Sequence, residues 1–365
     1  MSGVEATPGR AEEAAVVAAA RAGDEAAFAA LAERYRRELQ VHCYRMLGSP
    51  EDAEDLVQET FLRAWRGRTS FRGRSSFRAW LYRIATNACL NALAHSSRRV
   101  LPPQVVPASA PVVAELPAAD AEVAWLRPYP DRLLEPAAPS DAQPDAVVVA
   151  RETIELAFLA AVQHLPPRQR AVLLLRDVLG WRASETAALL EATVGSVNSA
   201  LQRARATLRR HLPARRSEWA PTSPPSSEER EVLRRYLEAS ERSDAAAVAE
   251  LLAEDVRQSM PPYPLWYDGR EAIAAVLAAC FDPASPGYVG ELRQVPTGAN
   301  LQPALANYTR WPGEDEYRAL ALDVLRIEGG KVVEITSFVD PGLFEAFGLP
   351  STLRAAAPPD RPRRS

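Results

Sequence analysis

Residues 183–205 read ASETAALLEATVGSVNSALQRAR, two short apolar-periodic runs separated by a three-residue break. In the second run Val194, Val197, Leu201, Ala204 and Leu208 recur at intervals of three and four, the spacing of one buried helix stripe. Thr193 stands where an N-cap belongs. The remaining faces carry Ser196, Asn198, Ser199, Gln202, Arg203 and Arg205, side chains able to reach base edges and phosphates when a helix enters the major groove. Small Ala187 in the first run permits a close helix crossing. The stretch predicts a helix-turn-helix, a pattern that the polar face of an ordinary helix also produces.

A DNA reader sits oddly in a chain of net charge −4. The distribution of charge removes the conflict. From Thr60 to Ala114 there is no acidic residue, while Arg63, Arg66, Arg68, Arg72, Arg74, Arg78, Arg83, Arg98 and Arg99 fall there. From Ala192 to Ser217 the same holds, with Arg203, Arg205, Arg209, Arg210, Arg215 and Arg216. Two basic islands are diluted by acids elsewhere, and both are candidates for facing phosphate.

At 365 residues the chain predicts two or three domains, each with its own core. No apolar run approaches the roughly 20 residues of a membrane span, and acids interrupt the N-terminal segment, unlike a signal peptide. A cytoplasmic protein without a membrane partner is expected. Cys43, Cys89 and Cys280 lie far apart without a Cys-x-x-Cys pair, so they read as small buried apolar residues, and neither a disulfide framework nor a metal is expected. Lys331 is the only lysine.

Working outward from the opening stretch, the helical zone 148–212 is preceded by a segment rich in proline and acid over 100–147. Before that, 24–99 again has helical periodicity. In GSPEDAEDLVQETFLRAWRG, Ser49 is placed to cap a helix, Pro50 fits its first position, and Glu51 and Asp52 face the positive end of the dipole. Ala53, Leu56, Val57, Phe61, Ala64 and Trp65 form an apolar stripe, leaving Asp52, Asp55, Glu59 and Arg63 together, on a face that is either solvated or a docking surface. In TSFRGRSSFRAWLYRIATNACLNALAHSSRR, arginines alternate with Phe71, Phe77, Trp80 and Tyr82, and Arg83, Asn87 and Asn91 share a helical face. Aromatics beside cations suit an unpaired strand; the other reading makes them core, Trp80 first.

These stretches, with LPPRQRAVLLLRDVLGWRASETAALLEATVGSVNSALQRARATL, resemble extracytoplasmic-function (ECF) sigma factors of bacterial RNA polymerase, subunits that lend the enzyme promoter specificity. The resemblance implies two all-α sigma domains, the second with the helix-turn-helix. It places Asp52, Asp55, Leu56, Gln58, Glu59 and Phe61 in the helix that docks on the clamp helices of the largest polymerase subunit. Phe71 and Arg72 fall in the loop that captures a flipped base of the minus-ten element, with Arg83, Asn87 and Asn91 on the helix beside it. Ser196, Asn198, Ser199, Gln202, Arg203 and Arg205 fall on the helix that reads the minus-thirty-five element of promoter DNA; Asn198 stands where many members have a basic residue. No catalytic residue or cofactor is implied. The linker, including WLRPYPDRLLEP, is expected to be extended, coreless, and suited by its acids to the polymerase nucleic-acid channel.

Beyond a linker at 213–227 lies a further domain over 228–350, followed by a proline- and arginine-rich tail, 351–365, expected to be disordered. After helices, DVRQSM and the alternating YRALALDVLRIEGGKVVEITSFV read as strands, the latter a hairpin turning at Glu328, Gly329 and Gly330. GREAIAAVLAAC adds a helix. The pattern resembles the α+β, cone-shaped SnoaL-like fold, and sigma factors that carry it are expected to be regulated by its intramolecular contact with their sigma domains. His42, His95, His164 and His211 all lie outside it, so the commonest general base is missing. Asp255, Asp268, Asp323 and Asp340 remain, and Asp323, inside an alternating strand, is placed to point into a pocket. Two other classes compete with a sigma factor. A conventional helix-turn-helix regulator with a ligand-sensing C-terminal pocket has no use for the first basic island, and a pocket enzyme lacks a catalytic constellation.

Overall fold

In the computed structural model, residues 8–73, 75–111, 117–120, 122–134, 154–212 and 226–354 are described. Arg74, Arg215, Arg216, most of the 213–227 linker, residues 112–116, 121 and 135–147 of the 100–147 linker and residues 355–365 of the tail lie outside them. The chain divides into two units, Met1–Arg99 with Leu133–Thr222, and Val100–Arg132 with Ser223–Ser365.

The first unit is helical. Helices α1 (Pro8–Ala22), α2 (Glu25–Leu47), α3 (Pro50–Gly67) and α4 (Phe77–Leu93) are followed by α5 (Leu156–Val162), α6 (Pro167–Leu173), α7 (Ala183–Leu189) and α8 (Val194–His211). Their ends obey the local signals. Asp24 caps α2, which stops at Gly48 in the left-handed region. Ser49 accepts from the Asp52 amide to open α3, with Pro50 in its first turn. Helix α6 runs into a π-helical turn at Leu174–Val178.

The core of this unit contains groups that sequence alone leaves unpaired. Glu38 of α2 is buried against Arg78 of α4 at 2.8 Å, and burial still pushes its carboxyl upward despite that cation. His42 is fully buried and bonded to Thr86 Oγ1 at 2.9 Å. Burial, with the nearby arginine charges, lowers it to about 3. Cys43 and Cys89 are free and buried, and they hydrogen-bond to each other across α2 and α4. Arg170, buried in α6, donates to Gln163 Oε1 at 2.6 Å and to the Gln163 and Leu165 carbonyls at 3.0 and 3.3 Å. It also donates to the carbonyl of Met46 at the end of α2, tying the later helices to the earlier ones. Burial without a carboxylate lowers the Arg170 guanidinium to about 10.

The second unit is built on one mixed sheet. Its strands are β1 (Leu252–Ser259), β2 (Trp266–Asp268), β3 (Glu291–Ala299), β4 (Gln302–Arg310), β5 (Glu316–Glu328), β6 (Lys331–Phe338) and β7 (Thr352–Arg354). The order is β2-β1-β6-β5-β4-β3, with β7 paired to β5. β1 runs parallel to β6, and the other pairings are antiparallel. The β5–β6 hairpin turns through Gly329 and Gly330, both at positive φ, as a two-residue loop requires. Irregularities at Asn307/Tyr308 and Arg326/Ile327 bend the strands. Helices α9 (Ser227–Glu241), α10 (Ala245–Leu251) and α11 (Arg270–Phe281) cover one face, closing an apolar core of Val232, Val248, Ile273, Leu305, Leu325 and Ile335 among others. The short α12 (Leu343–Ala346) brings Phe344 edge-on to Tyr308, centroids 5.0 Å apart.

The described part of the proline-rich linker corrects the expectation of a coreless segment. Val100, Leu101, Trp125, Leu126 and Tyr129 are buried. Val100–Arg132 belongs to the second unit as a strap: Tyr129 and Asn300 exchange hydrogen bonds of 2.8 and 2.9 Å, and the Leu301 amide donates to Asp131 at 2.8 Å. Trp266 Nε1 donates to the Val106 carbonyl at 2.9 Å, while Arg127 pairs with Asp340 at 3.1 Å. Proline does not prevent this, because a strap needs only a few amides and a few large apolar anchors.

Candidate polymerase and nucleic-acid interface

On α3 the buried set is Ala53, Val57, Thr60, Phe61 and Ala64. Phe61 is therefore core, with the Arg36 guanidinium over its ring at 5.5 Å, and Leu56 and Trp65 are half-buried. Asp55 and Gln58 are exposed. Asp52 is engaged by Arg99 at 2.5 Å and Glu59 by Arg63 at 2.6 Å. Leu62, 50% exposed, falls three and four residues after Glu59 and Gln58 and so lies in the middle of the acidic face. Sequence reasoning passed over it, although its helical position separates it from the apolar stripe.

Helix α4 starts at Ser76, which accepts from the Ala79 amide at 3.1 Å. Arg83, Asn87 and Asn91 are all exposed, at the i, i+4, i+8 spacing that keeps them on one face. The four aromatics expected to alternate with them are all buried. Phe71, 7% exposed, stacks edge-on to Phe77 at 5.6 Å and tilted on Trp80 at 5.1 Å. Its ring is therefore packed in the aromatic cluster of this unit. Arg72 beside it is exposed.

The helix-turn-helix forms from α7 and α8. Thr193 Oγ1 accepts from the Ser196 amide at 3.1 Å, and the turn passes through Glu191 at positive φ. Ala187 is buried. The stripe beneath α8 is Val197, Leu201, Ala204 and Leu208. Val194 corrects that stripe, being 44% exposed in the first turn of α8. Ser196, Asn198, Ser199, Gln202, Arg203 and Arg205 are exposed. Arg205 is also held by Asp177 of the π turn, Nε to Oδ2 at 2.8 Å and Nη2 to Oδ1 at 2.6 Å. At the far end of α8, His211 stacks on His164, centroids 3.6 Å apart. Arg98 meets His164 Nδ1 at 2.8 Å; burial and then the Arg98 charge lower His164 to about 4.

Of the C-terminal aspartates, Asp268 pairs with Arg257 at 3.4 Å and Asp340 with Arg127. Asp255 is exposed, and Asp323 is buried. Among the described residues no group of three or more His, Cys, Asp or Glu is placed to hold a metal, and no helix is long and apolar enough to cross a membrane.

Comparison with known proteins gives three family matches: Sigma-70 region 2 over residues 31–99, Sigma-70 region 4 over 155–208, and a SnoaL-like domain over 233–335. The ECF RNA polymerase sigma factor SigG of Mycobacterium tuberculosis is 45% identical over 333 residues, 91% of this chain and 86% of that protein. SigW of Bacillus subtilis is 32% identical over 193 residues, 52% of this chain and 91% of that one. Among solved structures, the M. tuberculosis ECF sigma factor SigJ aligns with TM-score 0.55 at 22% identity, covering 88% of this chain and 99% of SigJ, a likeness of fold.

Proposed function

The chain belongs to the ECF family of RNA polymerase sigma factors, with regions 2 and 4 followed by a SnoaL-like domain, and from that premise we propose how its surfaces divide the work. Sigma factors bind core RNA polymerase and promoter DNA and are not enzymes. Here α3 docks on the clamp helices of the largest subunit through Asp52, Asp55, Leu56, Gln58 and Glu59, with Leu62 as an apolar contact among them. Phe61 shapes the helix from beneath.

Arg72, Arg83, Asn87 and Asn91 hold the unpaired minus-ten strand, while Phe71 fixes the loop that traps its flipped base. Ser196, Asn198, Ser199, Gln202 and Arg203 read the minus-thirty-five duplex, and Arg205 contributes from its seat on Asp177. Base capture offsets the few kcal/mol of unstacking per flipped base, so strand separation needs no fuel. The observation that carries this reading is the pair of exposed polar faces, one on α4 inside the region 2 match and one on α8 inside the region 4 match.

The C-terminal domain regulates this activity through the linker. The strap Val100–Arg132 is part of the tether between regions 2 and 4, and its hydrogen bonds to β2, the β3–β4 turn and the β6–α12 segment withhold it from that tether. Released, it adds up to roughly 110 Å of reach, more than the roughly 85 Å between elements about 25 base pairs apart. Transcription by purified core polymerase on a promoter library tests both halves of the proposal, comparing the full chain, a chain ending near residue 215, and Tyr129→Ala. The shortened chain and Tyr129→Ala should initiate more often than the full chain. Equal activity of all three removes the regulatory role, and initiation unaffected by Asn87→Ala and Arg203→Ala removes the assigned readers.

A further inference from the structure

The helix-covered face of the C-terminal sheet changes character part-way along its strands. Val256, Ile335, Leu325 and Leu305 lie in the apolar core. Two residues further along β1, β6, β5 and β4, on the same face, stand Gln258, Ser337, Asp323 and Asn307. Pairing sets Asp323 opposite Ser337 and Gln294 of β3 opposite Asn307. All five are buried, forming a polar belt across five strands.

Its hydrogen bonds run inward from both ends. Gln258 Nε2 donates to Ser337 Oγ at 3.2 Å, and Gln294 Nε2 donates to Asn307 Oδ1 at 2.5 Å. Ser337 and Asn307 in turn donate to the Asp323 carboxylate, and burial still pushes that carboxyl upward. The donors of the belt are thereby directed at one acid, and acceptors are left over. Among the described residues Gln258 Oε1 and Gln294 Oε1 are buried without a partner. Asp323, 9% exposed, makes no ion pair among the described residues. Burial, and then the nearby Asp323 carboxylate, push the phenol of Tyr236 on α9 upward.

A buried carboxylate without a cation and buried acceptors without donors are each unfavourable, and a structural network normally satisfies all its members. We propose that the belt is the floor of a binding site for a small organic amine. Its ammonium group meets Asp323 beside the Tyr236 ring, and a further N–H or O–H donor reaches an end glutamine oxygen. Carboxylate, aromatic ring and amide oxygens suit a cation and reject an anion. The site does not depend on how the domain acts on regions 2 and 4.

Thermal-shift titration of the full chain tests it, with tyramine as the probe and tyrosol, in which a hydroxyl replaces the amine, as its neutral counterpart. Tyramine should raise the melting temperature with concentration, and tyrosol should need at least about tenfold more for the same shift. Asp323→Asn should melt higher than the natural chain without ligand, because an unpaired buried charge is removed, and should lose the preference for tyramine. Gln294→Met should keep the fold and bind several-fold more weakly. The proposal is overturned by equal shifts from tyramine and tyrosol, by no shift from tyramine, or by Asp323→Asn responding like the natural chain. Should Asp323→Asn fail to fold, the tyramine-to-tyrosol ratio and Gln294→Met decide.

Discussion

Arg78 and Arg83 sit five residues apart on α4 and have different fates. Arg78 turns inward to Glu38, while Arg83 stays exposed beside Asn87. Both belong to the same basic island in the sequence, and only the partner 40 residues upstream distinguishes them. Arg63 and Arg99 are likewise engaged by Glu59 and Asp52, so the island counted from sequence overstates the cationic surface. His42 permits a prediction at this scale. Its ordinary value of 6.5 falls to about 3 in the fold, so below pH 6.5 the unfolded chain takes up a proton that the native state refuses. Stability is then lost as pH falls from about 6.5 towards 3, at about 1.4 kcal/mol per pH unit. Urea unfolding of region 2 should show this slope, and His42→Gln should reduce it by that amount; an unchanged slope would mean His42 is not the group refusing the proton. Gly298 supplies a second case, since a Cβ there would come within 2.4 Å of Asp131 Oδ2. Gly298→Ala should loosen the strap, read as faster protease cleavage within 100–132 with the C-terminal domain still folded.

At the scale of elements, α3 and α8 were the most legible parts of the chain. Caps, proline placement and apolar spacing act within a few residues, and the observed starts at Pro50 and Val194 follow Ser49 and Thr193. What spacing could not settle was the end of a stripe: Val194 continues the pattern but stays exposed in the first turn. On α3, Leu62→Asp should weaken core-polymerase binding about tenfold in a competition assay while leaving helicity unchanged, because an exposed apolar contact is replaced by a desolvated charge. On α8, Arg203→Ala should weaken promoter binding and reduce the slope of log affinity against log salt by about one if Arg203 meets a phosphate. An unchanged slope with altered sequence preference would move Arg203 to base reading. Arg205 needs a paired test, since Asp177 holds it. Asp177→Asn should alter promoter affinity only when Arg205 is present.

For the whole molecule, the order of the parts was readable in advance. Helical blocks, a proline-rich stretch and a later switch to alternating strands each leave a compositional mark, and the hairpin at Gly329 and Gly330 turns where it was expected. The grouping of those parts was not readable. The first described part of the linker between regions 2 and 4 belongs with the C-terminal sheet, through contacts such as Tyr129 with Asn300, 171 residues apart. In the full chain that strap should exchange amide hydrogen slowly at Tyr129, and removal of the C-terminal domain should make the same amide exchange at the rate of an open chain.

The sequence by itself determined the helices, their caps, the helix-turn-helix and the family, because these depend on neighbours three or four residues away and on motifs that stay contiguous. Tertiary structure alone decided which arginines face solvent, that Phe71 is a pillar, that the linker has anchors, and that Asp323 sits in a belt with its donors already directed at it. Those facts depend on pairings between distant segments, where burial makes each unpaired polar group costly and leaves no record in local spacing.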